Sequence, residues 1–234
     1  NPDMKLLELE FENSSALDAA LVSKVTELLT RAIKNSGTAS LVVSGGRTPL
    51  AFFHMLSQQV LDWSKVVVTL ADERWVDTDH SDSSEKLVRE NLLINEAHTA
   101  EFIPLKNSAM DAVEGELQSE SDIESLGQFT VVILGMGDDG HTASLFPGAK
   151  TLALGLDMNS GRTAIAVMPT AAPHQRMTLT LPRLLDSQQI ILHIKGAGKQ
   201  GVLQAAQKGD DITELPIRAI LNQHVAPLSI FWAK

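Results

Sequence analysis

LGMGDDGHTASLFPG, Leu134–Gly148, is the stretch from which the rest of the chain can be read. It begins on the last residue of an apolar run, FTVVIL from Phe129 to Leu134, which predicts a buried strand. The run stops at three closely spaced glycines, Gly135, Gly137 and Gly140, with Asp138, Asp139 and His141 between and after them. Pro147 and Gly148 then cut off the helix start that follows. A strand whose carboxyl end opens into a glycine-rich loop bearing carboxylates and an imidazole marks the place where open α/β sheets bind their ligands.

Working outward, short apolar strands alternate with helical stretches in both directions. Met4–Phe11 alternates as a strand, and Asn13-Ser14-Ser15 offers caps for a helix running to about Asn35. Leu17, Leu21, Val25, Leu28, Leu29 and Ile33 recur there at helical spacing, and Gly37 ends the helix. Ala39–Val43 predicts a strand that runs into SGGRTP, Ser44–Pro49, with Thr48 capping a helix that starts at Pro49. Val66–Ala71 predicts a third strand that delivers Asp72-Glu73-Arg74, and a polar loop, Asp77–Ser84, leads into a helix to about Leu93. Phe102–Leu105 predicts a strand and Met110–Ser119 a helix. Beyond the glycine loop, Ala164–Met168 and Gln189–Ile194 predict strands, with a short helix at Pro182–Asp186 between them. A helix at Gly198–Gln207, with Lys199 in its first turn, and a strand at Pro227–Trp232 complete the pattern. The expected fold is α/β: a single doubly wound, mostly parallel sheet with helices on both faces, spanning residues 1–234 as one domain.

The bulk numbers narrow the function. Of 234 residues, 44 % are hydrophobic, enough for a substantial core, yet no run reaches the roughly 18–20 apolar residues of a membrane helix. The segment NPDMKLLELE has no charged stretch followed by an apolar region, so no secretory signal is expected. With no cysteine there is no disulfide framework, thiolate nucleophile or thiolate metal site, and a cytoplasmic setting is expected. The 19 basic against 29 acidic residues give a net charge of −10, which disfavours a nucleic-acid partner, as do 4 % aromatics and the absence of tyrosine. A small phosphorylated ligand stays compatible, because a few cations in a pocket can hold it on a negative protein.

Each motif has a functional and an ordinary reading. GMGDDG matches the dinucleotide fingerprint GxGxxG, but Asp138 and Asp139 would face the pyrophosphate and Pro147 forbids the helix that should hold it. SGGRTP has the parts of an anion cradle: Gly45 and Gly46 let backbone N–H groups approach, and Thr48 and a helix N-terminus add donors. The same residues also make an ordinary strand-to-helix turn. No GxxxxGK[ST] phosphate loop is present. Arg74, at a strand end, is placed to reach a phosphate, though a solvated charge cluster is the usual fate of such a run. Lys199 lies early in a helix, unfavourable for a cation unless an anion shares the site. The loop DTDHSDSSE, Asp77–Glu85, lacks the glycine and glutamate of a calcium loop. Among seven histidines His141 stands apart, exposed by glycines and two residues from Asp139, a carboxylate able to orient it as a general base. No HExxH-like spacing occurs, and neither a metal nor another cofactor is expected.

Taken together, SGGRTP, LADERWVD, LGMGDDGHTASLFPG, HQRMTLTL and KGAGK stand in the order found in 6-phosphogluconolactonases, and the chain resembles that family over nearly its whole length. The resemblance implies a Rossmann-like fold shared with glucosamine-6-phosphate deaminases and ribose-5-phosphate isomerases. It also implies cofactor-free hydrolysis of 6-phosphogluconolactone, a phosphorylated sugar lactone, in the oxidative branch of the pentose phosphate pathway. Carried over, His141 is the catalytic base with Asp139 beside it, and Arg74 and Lys199 are phosphate anchors. Ser44, Gly45, Gly46 and Thr48 form the phosphate-side loop, and Arg176 matches the arginine of the RMTLT segment. Gly137 and Gly140 are candidates for the loop that receives the oxyanion. Ser83-Ser84 stands where the family often has Ser-Asn. Two rivals share the fold. A glucosamine-6-phosphate deaminase would continue past its Gly-His into a Phe-Asn-Glu-Pro segment, where this chain has TASLFPG. A sugar-phosphate-sensing domain would need no Asp139–His141 pair. The sequence leaves the oligomeric state, monomer or homodimer, open.

Overall fold

The structure is a computed structural model that describes residues 6–234. The first strand, β1, spans Leu7–Phe11; Met4 and Lys5, where it was expected to begin, lie outside the described residues. The long helix α1, Ser14–Ser36, starts where the Asn13 side chain accepts the Ala16 N–H. It buries Leu17, Leu21, Val25 and Leu29 along one face, each leucine contributing on the order of 2 kcal/mol through loss of water contact. Gly37 ends it in the left-handed region, φ +84°, its N–H donating to Ile33 O.

The central strands β2 (Ala39–Val43) and β6 (Phe129–Leu134) are buried throughout. That is what unbroken apolar runs give when helices cover both faces of a parallel sheet. With β1, β3 (Val66–Leu70), β5 (Glu101–Phe102), β9 (Ser187–Lys195) and β10 (Leu228–Ala233) they form a seven-stranded sheet in the order β1-β10-β9-β6-β2-β3-β5. Every neighbouring pair is parallel. From β2 the chain steps outward through β3 and β5, then returns to the other side of β2 as β6 and continues to β9 and β10. The order therefore reverses between β2 and β6, and the crevice beyond their carboxyl ends is the expected ligand position.

A second sheet was not anticipated. β4 (Asp72–Arg74), β7 (Ala164–Val167) and β8 (Arg176–Leu179) pair antiparallel in the order β4-β8-β7. Ala164–Met168, expected in the main sheet, is thus in the small one, with the unforeseen β8 from HQRMTLTL between it and the DER segment. Ala71 is the join: its N–H donates to Val43 O of the main sheet, and its carbonyl accepts Leu179 N–H of the small one. The chain thereby bends β4 away from β3 and over the carboxyl edge.

Other boundaries shift. The helix after SGGRTP, α2, spans Leu50–Ser57 with Pro49 at its cap and no side-chain cap bond, so Thr48 does not cap it. The fourth expected strand shrinks to the two residues of β5. The helix after the polar loop, α3, is Ser84–Asn91, and the expected Met110–Ser119 helix is α4, Ala112–Glu124, capped by Asp111. Short helices follow at Leu152–Leu156 (α5) and Leu181–Leu185 (α6), then α7 at Ala197–Gln207 and α8 at Arg218–Leu221. Among the described residues no helix is long and apolar enough to cross a membrane.

Under the main sheet's carboxyl edge, α1 and β9 share a buried polar contact. Asp18, almost wholly buried, accepts from Lys195 Nζ at 3.0 Å, and His193 Nε2 lies 3.4 Å from its Oδ1. Burial pushes the His193 imidazole below its ordinary 6.5, against the pull of Asp18 and with Lys195 adding to the shift. Burial raises the Asp18 carboxyl, but its contacts with His193 and Lys195 outweigh this and hold it below 3.8. The fold thus favours the deprotonated form of both groups, so their stabilisation is present at neutral pH and is lost on acidification. For His193 the loss starts below about 6.5; for Asp18 it starts only below 3.8. Buried Glu73, raised to about 7, acts in the opposite sense over the same range. Thermal melts between pH 7.5 and 5 should therefore show a less negative change in Tm on acidification for His193→Gln than for the wild type. The same change in both would contradict the assignment to His193.

Candidate active site

The crevice is a cleft of about 230 Å³ lined from both sheets. Three parallel strand ends contribute: Ser44–Pro49 after β2, Gly135–Gly137 after β6, and Lys195 at the end of β9. Asp72 and Arg74 of β4 and Arg176 of β8 form the opposite wall, and Lys199 enters from the first turn of α7.

His141 is held by its own loop. Asp139 Oδ1 accepts both the backbone N–H of His141, at 3.0 Å, and its ring Nδ1, at 2.5 Å. Burial raises the Asp139 carboxyl, but these bonds from His141 outweigh it and keep the carboxylate ionised below its ordinary 3.8. With Nδ1 fixed as the donor, Nε2 is left as the proton acceptor. The ring also packs on Phe146, with centroids 4.3 Å apart. Gly137 is required by this arrangement, since a Cβ there would lie 2.1 Å from His141 Nδ1. Gly140, at φ +80°, turns the loop and lies so close to Leu215 that a Cβ would sit 2.6 Å from its side chain.

The opposite wall is cationic. In the β4–β8 register Arg74 stands directly across from Arg176. Arg74 Nη1 donates to the carbonyl of Asp82 at 2.9 Å, and Arg176 donates through Nε and Nη2 to Pro173 O at 3.2 and 3.0 Å. Among the described residues neither arginine, nor Arg47 on the β2 loop, has a carboxylate within salt-bridge distance. Burial pushes the Arg176 guanidinium below its ordinary value, Asp72 resisting and Arg74 pushing the same way. Like charges opposite one another on neighbouring strands are unfavourable, and an anion between them removes the conflict. Phe146 touches both sides, because Arg176 lies over its ring at 5.3 Å while His141 packs against it.

The model of the family described as glucosamine-6-phosphate isomerases/6-phosphogluconolactonase matches residues 12–232. The chain belongs to this family. It is 46 % identical to a 6-phosphogluconolactonase of Rhizobium meliloti over 95 % of this chain and 97 % of that one. A solved 6-phosphogluconolactonase from Shewanella baltica is 43 % identical and superposes with a TM-score of 0.96 over 98 % of both chains. A monomeric glucosamine-6-phosphate deaminase superposes at 0.79 with 17 % identity over 97 % of each chain, a likeness of fold alone.

Of the residues singled out in the sequence, Ser44, Gly45, Gly46, Thr48, Arg74, Gly137, His141, Arg176 and Lys199 line one cleft, whereas Asp139 and Gly140 do not line it. Three details differ from expectation. Lys199 already has an anion, Asp138 Oδ1 at 2.9 Å, supplied by the glycine loop itself. Gly137 and Gly140 do not offer their N–H groups as oxyanion donors, because these donate to His141 O and Gly137 O and close the loop on itself. Ser44 Oγ donates to Ile133 O at 2.9 Å, which leaves its lone pairs rather than its proton for the cleft.

Arg47, Asp72, His193 and Lys195, none of them a site candidate from the sequence, also line the cleft. Asp72 Oδ2 accepts from Ser144 Oγ at 2.6 Å, tying the glycine loop to the small sheet. Strand alternation would have separated Asp72 and Arg74 from Glu73, which points inward. Glu73 is 1 % exposed and accepts the N–H groups of Arg74, Ser84 and Glu85, anchoring the start of α3. Ser84, at the former asparagine position, touches the β2 loop so closely that a Cβ on Gly45 would lie 2.3 Å from its Oγ. Gly137→Ala should therefore displace the imidazole and lower kcat on the order of a hundredfold with little change in Tm. Wild-type turnover in a folded variant would refute the role given to that close contact.

Proposed function

We propose that this chain hydrolyses 6-phospho-D-glucono-1,5-lactone to 6-phosphogluconate, acting in the cytoplasm as a single catalytic domain without a cofactor. The observation that carries the reading is the pairing of Arg74 and Arg176, neither of which has a carboxylate within salt-bridge distance among the described residues, across one cleft from a carboxylate-oriented imidazole, His141. The similarity to proteins named 6-phosphogluconolactonase supports the same reaction.

In this reading the substrate phosphate sits between Arg74 and Arg176, with the Gly45–Thr48 stretch of the β2 loop and Lys199 completing the anion site. Anchoring the phosphate fixes the lactone ring relative to His141 and turns a bimolecular search into an oriented encounter. His141 Nε2 takes a proton from water as the water oxygen adds to the lactone carbonyl. Asp139 stabilises the imidazolium that forms. The positive lining of the cleft favours the tetrahedral oxyanion. Collapse breaks the bond from the carbonyl carbon to the ring oxygen, and His141 returns the proton to that oxygen, leaving an open-chain acid.

Hydrolysis of freshly generated 6-phosphogluconolactone, corrected for spontaneous opening, should be strongly accelerated, and the unphosphorylated lactone should not. Equal acceleration of both would remove the phosphate site from the mechanism, and no acceleration of either would remove the reaction. His141→Ala should lower kcat by about a hundredfold or more with KM little changed; an unchanged kcat refutes the base. Arg176→Met should raise KM about tenfold or more, the loss of a charge-assisted contact, with kcat less affected. A KM equal to wild type would exclude Arg176 from the clamp.

A further inference from the structure

Beside the arginine pair two loops meet that the proposed reaction does not use. The loop between β4 and α3 carries His80 and Asp82, and the loop between β7 and β8 carries His174, 92 positions after Asp82. His174 Nε2 lies 2.8 Å from Asp82 Oδ2. His80 Nδ1 accepts the Asp82 backbone N–H at 2.9 Å, and the two imidazole rings stand edge to face with centroids 5.4 Å apart. One nitrogen from each histidine and one carboxylate oxygen all fall within 4.8 Å of one another. His174 holds its place from a left-handed backbone, φ +71°, which residues with a Cβ seldom adopt.

We propose that His80, Asp82 and His174 form a binding site for one divalent transition-metal ion of the zinc class, at the rim of the cleft and outside the Asp139–His141 pair. Two imidazoles and one carboxylate are a borderline donor set, suited to zinc, cobalt, nickel or copper and not to magnesium or calcium, which take oxygen ligands. Zinc bonds of about 2.0–2.2 Å require the three ligand atoms to draw in to about 3.3 Å from one another. The side chains that must move lie at the surface, so rotamer changes can accomplish this. The ion would replace the hydrogen that now joins His174 to Asp82, and water would fill the fourth position.

The site would act as a staple. Asp82 also supplies the carbonyl that holds Arg74, and Pro173, next to His174, supplies the carbonyl that holds Arg176. A cation bridging the two loops would tie together the two backbone segments that aim the arginines. The spacing of the three ligands in the sequence, with one of them on a distant loop, is why no local metal motif revealed them.

The test is titration of the chelator-treated full chain with Zn²⁺ by calorimetry and with Co²⁺ by visible absorption, with Mg²⁺ as a control. The expected result is one site per chain of micromolar or tighter affinity for Zn²⁺, the d–d bands of bound Co²⁺, no Mg²⁺ response, and a rise in Tm with Zn²⁺. The double variant His80→Ala/His174→Ala should bind at least tenfold more weakly and lose the Tm rise, with its folding checked by circular dichroism. Asp82→Asn, nearly isosteric, serves as the second variant should the first not fold, and should weaken binding in the same way. Absence of stoichiometric binding, or wild-type affinity in a folded variant, overturns the proposal.

Discussion

At Ala71 the backbone belongs to two sheets at once, and the cleft exists because of it. Its N–H completes the parallel ladder with β2 while its carbonyl accepts from β8 of the antiparallel sheet. A strand that simply continued would carry Asp72 and Arg74 out along the main sheet's edge into solvent. Bent at this residue, β4 instead stands over the carboxyl ends of β2 and β6 and faces the glycine loop. Ser144 reinforces the join from the other side, donating its hydroxyl to Asp72 and its N–H to Thr178 Oγ1. The two walls of the cleft are thereby set by the main-chain bonds at Ala71 and tied together by side-chain bonds around Ser144.

That geometry confines positive charge on a chain with a net charge of −10. Arg47, Arg74, Arg176, Lys195 and Lys199 all line the cleft, and the carboxylates that would neutralise them are distributed unevenly. Lys195 is paired with Asp18 and Lys199 with Asp138, whereas Arg74 and Arg176 are braced by backbone carbonyls. A carbonyl orients a guanidinium without cancelling its charge, so the field stays available to a bound anion. The negative exterior disfavours large polyanions.

The imidazole side of the cleft is built for rigidity. The Gly137 and Gly140 N–H groups close the turn internally, Ile217 N–H binds Gly140 O, and Leu215 packs against Gly140. His141 sits between its own Asp139 and Phe146, and Phe146 in turn lies under Arg176. His141 and Arg176 thus share one aromatic neighbour, a contact by which movement of either would be felt by the other.

Much of this was determined by the sequence alone, where the chemistry is local. Buried runs such as FTVVIL, the Asn13 and Gly37 boundaries of α1, and the Asp139–His141 contact depend on residues a few positions apart, and each is legible from periodicity, capping preference or loop composition. The same holds for the order of strands and helices that implies a doubly wound sheet. What only the tertiary structure decided depends on pairing between distant segments. The small sheet arises because HQRMTLTL finds the DER segment about a hundred residues away, which sets Arg74 opposite Arg176. The Asp18–His193–Lys195 cluster and the meeting of His80, Asp82 and His174 have the same origin. Local propensity states which backbone a segment prefers, but the partner across a ladder or a loop is chosen by what the whole chain can bury at once.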